Sequence, residues 1–153
     1  MPVFKILVLG GYGNFGKRIA EKISVMPNVK IFIAGRNIKK AQQMCRDLSF
    51  KSANTLFEPA VIDIYQQNFM NELKSLSPNL VVHTGGPFQG QDYLVPRACI
   101  AVGSHYIDLA DDRRFVCDIS SLNDKAQAND LLIVSGASSV PGLSSTVIDS
   151  LEN

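Results

Sequence analysis

Strand-length apolar segments alternate with segments of helical period from one end of this chain to the other, and that alternation constrains the fold more than any other feature. A strand, a helix and a further strand that runs the same way build a parallel sheet with crossover helices. The segments that read as strands are Val3–Leu9, Val29–Ala34, Leu56–Asp63, Leu80–Thr84, Tyr106–Leu109 and Leu131–Ser135. Several are nearly continuous apolar runs, as strands covered on both faces should be. Between them, apolar residues recur at helical spacing: Phe15, Ile19 and Ile23; Ile38, Ala41, Cys45 and Leu48; Phe69, Leu73 and Leu76; Phe115, Ile119, Leu122 and Ala126. Each set predicts one buried stripe on an amphipathic helix. A further helix is predicted over Leu94–Val102, with Pro96 in its first turn. Asn37 and one of Asp111 or Asp112 stand at N-cap positions. Six strands in this rhythm predict an α/β fold: one domain over residues 1–153, with a doubly wound parallel sheet of order 3-2-1-4-5-6 and helices on both faces.

Directly after the first strand the chain reads Gly10-Gly11-Tyr12-Gly13-Asn14-Phe15-Gly16, and a helical stripe follows at once. Gly11, Gly13 and Gly16 form GxGxxG in the strand-to-helix context that a Rossmann dinucleotide site requires. Gly11 is expected to allow the tight turn, Gly13 to admit the pyrophosphate to the backbone, and Gly16 to let helix and strand pack closely. The amides near Asn14 and Phe15 would then meet the phosphates at the positive end of the helix.

The end of the second strand usually separates the two nicotinamide cofactors, because a carboxylate there bonds the ribose hydroxyls of NAD. Here it reads Ile33-Ala34-Gly35-Arg36-Asn37, with no acidic residue. A guanidinium at Arg36 would pair with the 2′-phosphate of NADP, which makes NADP the expected cofactor and NAD the alternative; a plain surface arginine is the competing account. Asp63 closes the third strand, where its carboxylate or the Ile64 amide would reach the adenine edge unless it caps the next helix. Gly85, Gly86 and Pro87 form a bare-backbone loop after the fourth strand, near the topological switch point. They are assigned to the nicotinamide-ribose and pyrophosphate side, against a simple Gly-Pro turn.

Fifteen basic against fourteen acidic residues, with no long run of either sign, exclude a polyanion partner such as nucleic acid. The apolar N-terminal run is too short to span a bilayer, so no membrane role is expected and the cytoplasm is the expected location. Cys45, Cys99 and Cys117 are odd in number and widely spaced, which predicts core-facing thiols rather than disulfides or a metal site. His83 and His105 have no metal-ligand spacing and are expected to pack in the core or at strand ends. Tyr12, Tyr65, Tyr93 and Tyr106 are followed four residues on by Gly16, Phe69, Arg97 and Ala110, so the Tyr–Lys pair of short-chain dehydrogenases is missing.

The chain resembles the NADP-binding domain of the saccharopine dehydrogenase (saccharopine reductase-like) family. The resemblance rests on GGYGNFGKRIA at 10–20, AGRN at 34–37, HTGGPFQGQDYLVPRACIAVGSHYIDLADD at 83–112 and SGASSVPGLSS at 135–145. It implies an NAD(P)-dependent oxidoreductase that transfers hydride on a small, amino-acid-derived substrate. In that family a second α/β domain follows and supplies much of the substrate site, so the resemblance implies an N-terminal part of a longer protein, inactive alone. No residue is assigned to catalysis: Asp108 and Asp111 would face the reacting centre or cap a helix. A non-catalytic NADP-binding sensor or scaffold is the alternative, and the oligomeric state is left open.

Overall fold

The computed structural model describes residues 3–52 and 54–151. Its strands are β1 (Phe4–Leu9), β2 (Val29–Gly35), β3 (Leu56–Val61), β4 (Leu80–His83), β5 (His105–Asp108) and β6 (Ile133–Val134). They form one sheet, parallel throughout, in the order β3-β2-β1-β4-β5-β6. The helices are α1 (Asn14–Ile23), α2 (Ile38–Lys51), α3 (Phe69–Leu76), α4 (Leu94–Val102), α5 (Arg113–Asp118), α6 (Asn123–Ala128) and α7 (Ser144–Leu151).

Alternate residues of β1 point to opposite faces, which is why one apolar run feeds two cores. Leu7 and Leu9 pack with Phe69 and Leu73 of α3 and with Val95 and Cys99 of α4. Ile6 and Val8 pack on the other face with Ala20 of α1 and with Ala41, Cys45 and Leu48 of α2. The sheet is therefore covered on both sides. β1 lies at its centre, so the loop that leaves β1 opens at the switch between β2 and β4.

Local signals mark several ends as expected. The Asn37 side chain accepts the Lys40 N–H at 3.1 Å and caps α2, and Asp112, not Asp111, caps α5 by accepting from Phe115 at 2.8 Å. Elsewhere the structure departs from the pattern. The stripe from Phe115 to Ala126 is not one helix but α5, a 3₁₀ turn over Ile119–Leu122, and α6. β6 keeps only two residues, Ile133–Val134, at the sheet edge beside β5. Phe15 and Ile38, each leading a predicted buried stripe, are 62% and 38% exposed. Both sit in the first turn of their helices, where the side chain has passed the carboxyl edge of the sheet. Cys45 and Cys99 are buried, whereas Cys117, in α5, is exposed.

Candidate functional site

The glycine loop connects β1 to α1 along its own backbone. Gly10, rather than Gly11, makes the turn: its φ is +77°, a left-handed conformation that disfavours side chains. Gly11 serves close packing instead, with a Cβ there lying 2.9 Å from the Val8 carbonyl oxygen. Gly16 is buried, and its Cβ would collide with the Gly10 carbonyl oxygen and stand 2.7 Å from the Gly11 Cα, so α1 can rest on the loop only without a side chain.

Gly13 differs from its neighbours. It is exposed, and a Cβ there would meet only the Gly10 carbonyl oxygen, at 3.0 Å. It is also the N-cap of α1, with no side-chain hydrogen bond to the first turn and no acidic residue in that turn. The amides at Asn14 and Phe15 thus begin a helix without a side-chain acceptor, next to open space, which is the geometry of an anion cradle.

Two clefts flank this loop. The first, about 840 Å³, runs from the glycine loop over the carboxyl ends of β2 and β3. It gathers Gly13, Arg36, Asp63, Gly85, Gly86 and Pro87 on one wall system. Arg36 is exposed at its rim. Asp63 does not cap a helix: its Oδ1 accepts the Tyr65 N–H at 3.1 Å in a turn that ends well before α3. The second cleft, about 990 Å³, opens on the other side, over β4 and β5 and the segment after β6. Phe15, Phe88, Leu109, Asp111, Ser138 and Leu143 line it, and it shares Thr84, Gly86, Pro87 and Gln89 with the first. Gly11 and Gly16 lie buried beneath the loop, and Asn14 is exposed and lines neither cleft.

The shared ridge is held by side chains. Thr84 donates from Oγ1 to the Leu9 carbonyl at 2.8 Å. Gln91 Nε2 donates to the carbonyls of Gly85, at 3.2 Å, and Pro87, at 2.5 Å. The Gly86–Pro87 peptide is cis. Below the ridge His83, 1% exposed, shares a 3.1 Å hydrogen bond between Nδ1 and the Tyr106 hydroxyl and meets the edge of the Phe88 ring. Burial lowers the His83 pKa to about 4, against the opposing pull of Asp108 and the Gly85 backbone, so its imidazole is neutral near pH 7. Burial likewise pushes the Tyr106 hydroxyl well above its ordinary value.

Asp108 lines neither cleft. Its side chain is fully buried, and Oδ1 accepts from the Ala110 N–H at 2.9 Å, the Ser135 hydroxyl at 2.8 Å and the Gly136 N–H at 3.0 Å. It ties the end of β5 to the chain leaving β6. Asp111 does reach the second cleft, where it accepts from Gln89 Nε2 at 3.3 Å.

The fold agrees with the known proteins that the chain matches. The family model for the saccharopine dehydrogenase NADP-binding domain matches residues 6–134, from within β1 to the end of β6. The chain belongs to that family. Its residues thus form a nicotinamide-dinucleotide-binding domain of a family of oxidoreductases. A relative from Caenorhabditis elegans, named a lipid droplet localized protein, is 24% identical over 121 residues, which are 76% of this chain and 28% of that protein. Among solved structures, saccharopine dehydrogenase (L-Glu forming) from Saccharomyces cerevisiae superposes with a TM-score of 0.70 at 13% identity, over 97% of this chain and 31% of that one. A short-chain type dehydrogenase/reductase from Mycobacterium ulcerans gives 0.63 at 18% identity, over 88% and 67%. An NADH-dependent reductase solved with NAD gives 0.68 at 9% identity, over 88% and 77%. These likenesses show the fold. The chain spans less than a third of the worm relative and of the yeast enzyme.

Among the residues of the site absent from the sequence-based candidates are Tyr12 and His83, which both line the first cleft. The tyrosine occupied a variable position of GxGxxG, and a histidine inside an apolar strand carries no local signal of what it faces.

Proposed function

We propose that this domain binds NADP in preference to NAD and presents its nicotinamide for hydride transfer to or from an amino-acid-derived substrate. The observation that carries the reading is the charge along the first cleft: uncapped amides of α1 at one end and the exposed Arg36 guanidinium at the other, with no carboxylate at the end of β2. Those two groups would hold the pyrophosphate and the 2′-phosphate respectively. Asp63 and Ile64 line the intervening cleft, where an adenine edge would meet them. The ridge from Gly85 to Pro87 would then turn the chain of the cofactor into the second cleft, beside Phe15 and Asp111.

A bound nicotinamide supplies the hydride chemistry at its C4 carbon. The protein would contribute placement: the ridge would bound the ring on one side and Phe15 would give it an apolar wall. We assign the protein to the cytoplasm, where the free thiols Cys45, Cys99 and Cys117 stay reduced.

Calorimetric titration with NADPH and NADH tests the assignment. A charge-assisted hydrogen bond to the 2′-phosphate favours NADPH by about ten- to a hundredfold, and Arg36→Asp should erase or invert that preference. Equal binding of the two cofactors by the unaltered protein would overturn it.

A further inference from the structure

Tyr12 reaches out of the glycine loop to the end of β2 and touches it in two ways. Its hydroxyl accepts the Asn37 backbone N–H at 3.0 Å. Its ring lies against Gly35, where an added Cβ would stand 2.5 Å from Oη, 2.6 Å from Cε1 and 2.7 Å from Cζ. Carbon atoms in contact sit roughly 3.5–4.0 Å apart, so no side chain fits at position 35 while the ring is in place. Gly35 is not among the residues with a left-handed backbone, so conformation does not demand a glycine there. The ring does.

Position 35 closes β2, the place where an NAD site carries its carboxylate. Arg36 follows, between a glycine under the ring and an asparagine whose amide the hydroxyl holds. The same Asn37 caps α2 through its side chain, so its backbone is tied on both sides. Tyr12, Gly35 and Arg36 all line the first cleft. We propose that Tyr12 determines the cofactor preference of this domain: its ring excludes an NAD-type carboxylate from the end of β2, and its hydroxyl positions Arg36 for the 2′-phosphate. The second half rests on the NADP reading above; the first half stands on the ring and Gly35 alone.

The test is to measure Kd for NADPH and for NADH by nicotinamide fluorescence on four forms of the chain: unaltered, Tyr12→Phe, Gly35→Asp, and Tyr12→Ala combined with Gly35→Asp. Tyr12→Phe keeps the ring's packing and removes only the acceptor, and thermal melting checks that it stays folded. It should weaken NADPH about tenfold and leave NADH unchanged. Gly35→Asp alone should bind NADH no better than the unaltered chain, or fail to fold, whereas the double variant should bind NADH at least tenfold more tightly than the unaltered chain. Equal loss of both cofactors in Tyr12→Phe, or no loss, overturns the positioning role. Tight NADH binding by Gly35→Asp with Tyr12 present, or none by the folded double variant, overturns the exclusion role. A double variant that does not fold also counts against it, since removing the ring should free the space. An unaltered chain without NADPH preference defeats the NADP reading and the positioning role with it, while the NADH comparison still decides the exclusion role.

Discussion

The two halves of the sheet's carboxyl edge are held together by opposite means. On the β1–β2–β3 side the site is made of backbone brought close to backbone: Gly10, Gly11 and Gly16 let strand, loop and helix approach to distances no side chain tolerates. On the β4–β5–β6 side it is made of buried polar side chains: Asp108 gathers three donors, and His83 and Tyr106 form a second pair below the ridge. The first construction is steric, and it seats the loop against both neighbouring strand ends: a Cβ at Gly11 would meet Ile33 and one at Gly10 would meet Thr84. The second joins residues far apart in sequence, such as Asp108 and Gly136, and its strength depends on hydrogen bonding and on pH. The half that would hold the common part of the cofactor is thus built from steric necessity, and the half that would meet a substrate from interactions that single substitutions can remove.

The largest effect should come from the second half. Asp108→Ala leaves two backbone amides and a hydroxyl without their acceptor and should cost about 4 kcal/mol, read as a lower urea midpoint. Affinity for adenosine 2′,5′-bisphosphate, a probe of the first cleft alone, should be nearly unchanged in the folded fraction. A large loss of that affinity would show that the halves are not independent.

Next in size is a pH effect. His83 titrates at about 4 when folded, against about 6.5 when exposed. Between those values the unfolded chain takes up a proton that the folded chain refuses, so stability is full above about pH 6.5 and falls as pH drops towards 4. The loss is on the order of 3 kcal/mol. Urea unfolding at several pH values, compared with His83→Gln, isolates it; parallel curves for the two proteins would remove His83 as the cause.

On the first side, Gly16→Ala places a methyl against the Gly10 and Gly11 backbone and should cost about 2 kcal/mol through overpacking. Here the bisphosphate probe should lose most of its affinity, because the loop must shift to admit the methyl. Retained affinity in a destabilised protein would separate loop position from binding. The smallest effect is expected at Phe15, whose ring is exposed in the second cleft. Phe15→Ala should change stability by less than about 0.5 kcal/mol and spare the bisphosphate, yet weaken NADPH by a few-fold through lost apolar contact with the nicotinamide. Equal weakening of both ligands would place Phe15 on the wrong side of the ridge.

By itself the sequence determined the α/β class, the parallel order of six strands and the place of the glycine loop, because each is written in local pattern: apolar period, cap residues such as Asn37, and glycine spacing. Arg36 and the Gly85–Pro87 loop were legible for the same reason, since strand ends in this topology converge on one edge. Only the tertiary structure decided which glycine makes the turn, because GxGxxG spacing says nothing about φ and Gly10 stands just outside it. It also decided that Phe15 opens to a cleft, that Asp108 is buried among donors from the chain after β6, and that Tyr12 lies across Gly35. A periodic stripe shows which face of a helix is apolar, but not where the sheet beneath that face ends. A carboxyl or a tyrosine hydroxyl takes its role from the donors that distant strands bring to it, and those donors meet only after the chain has folded.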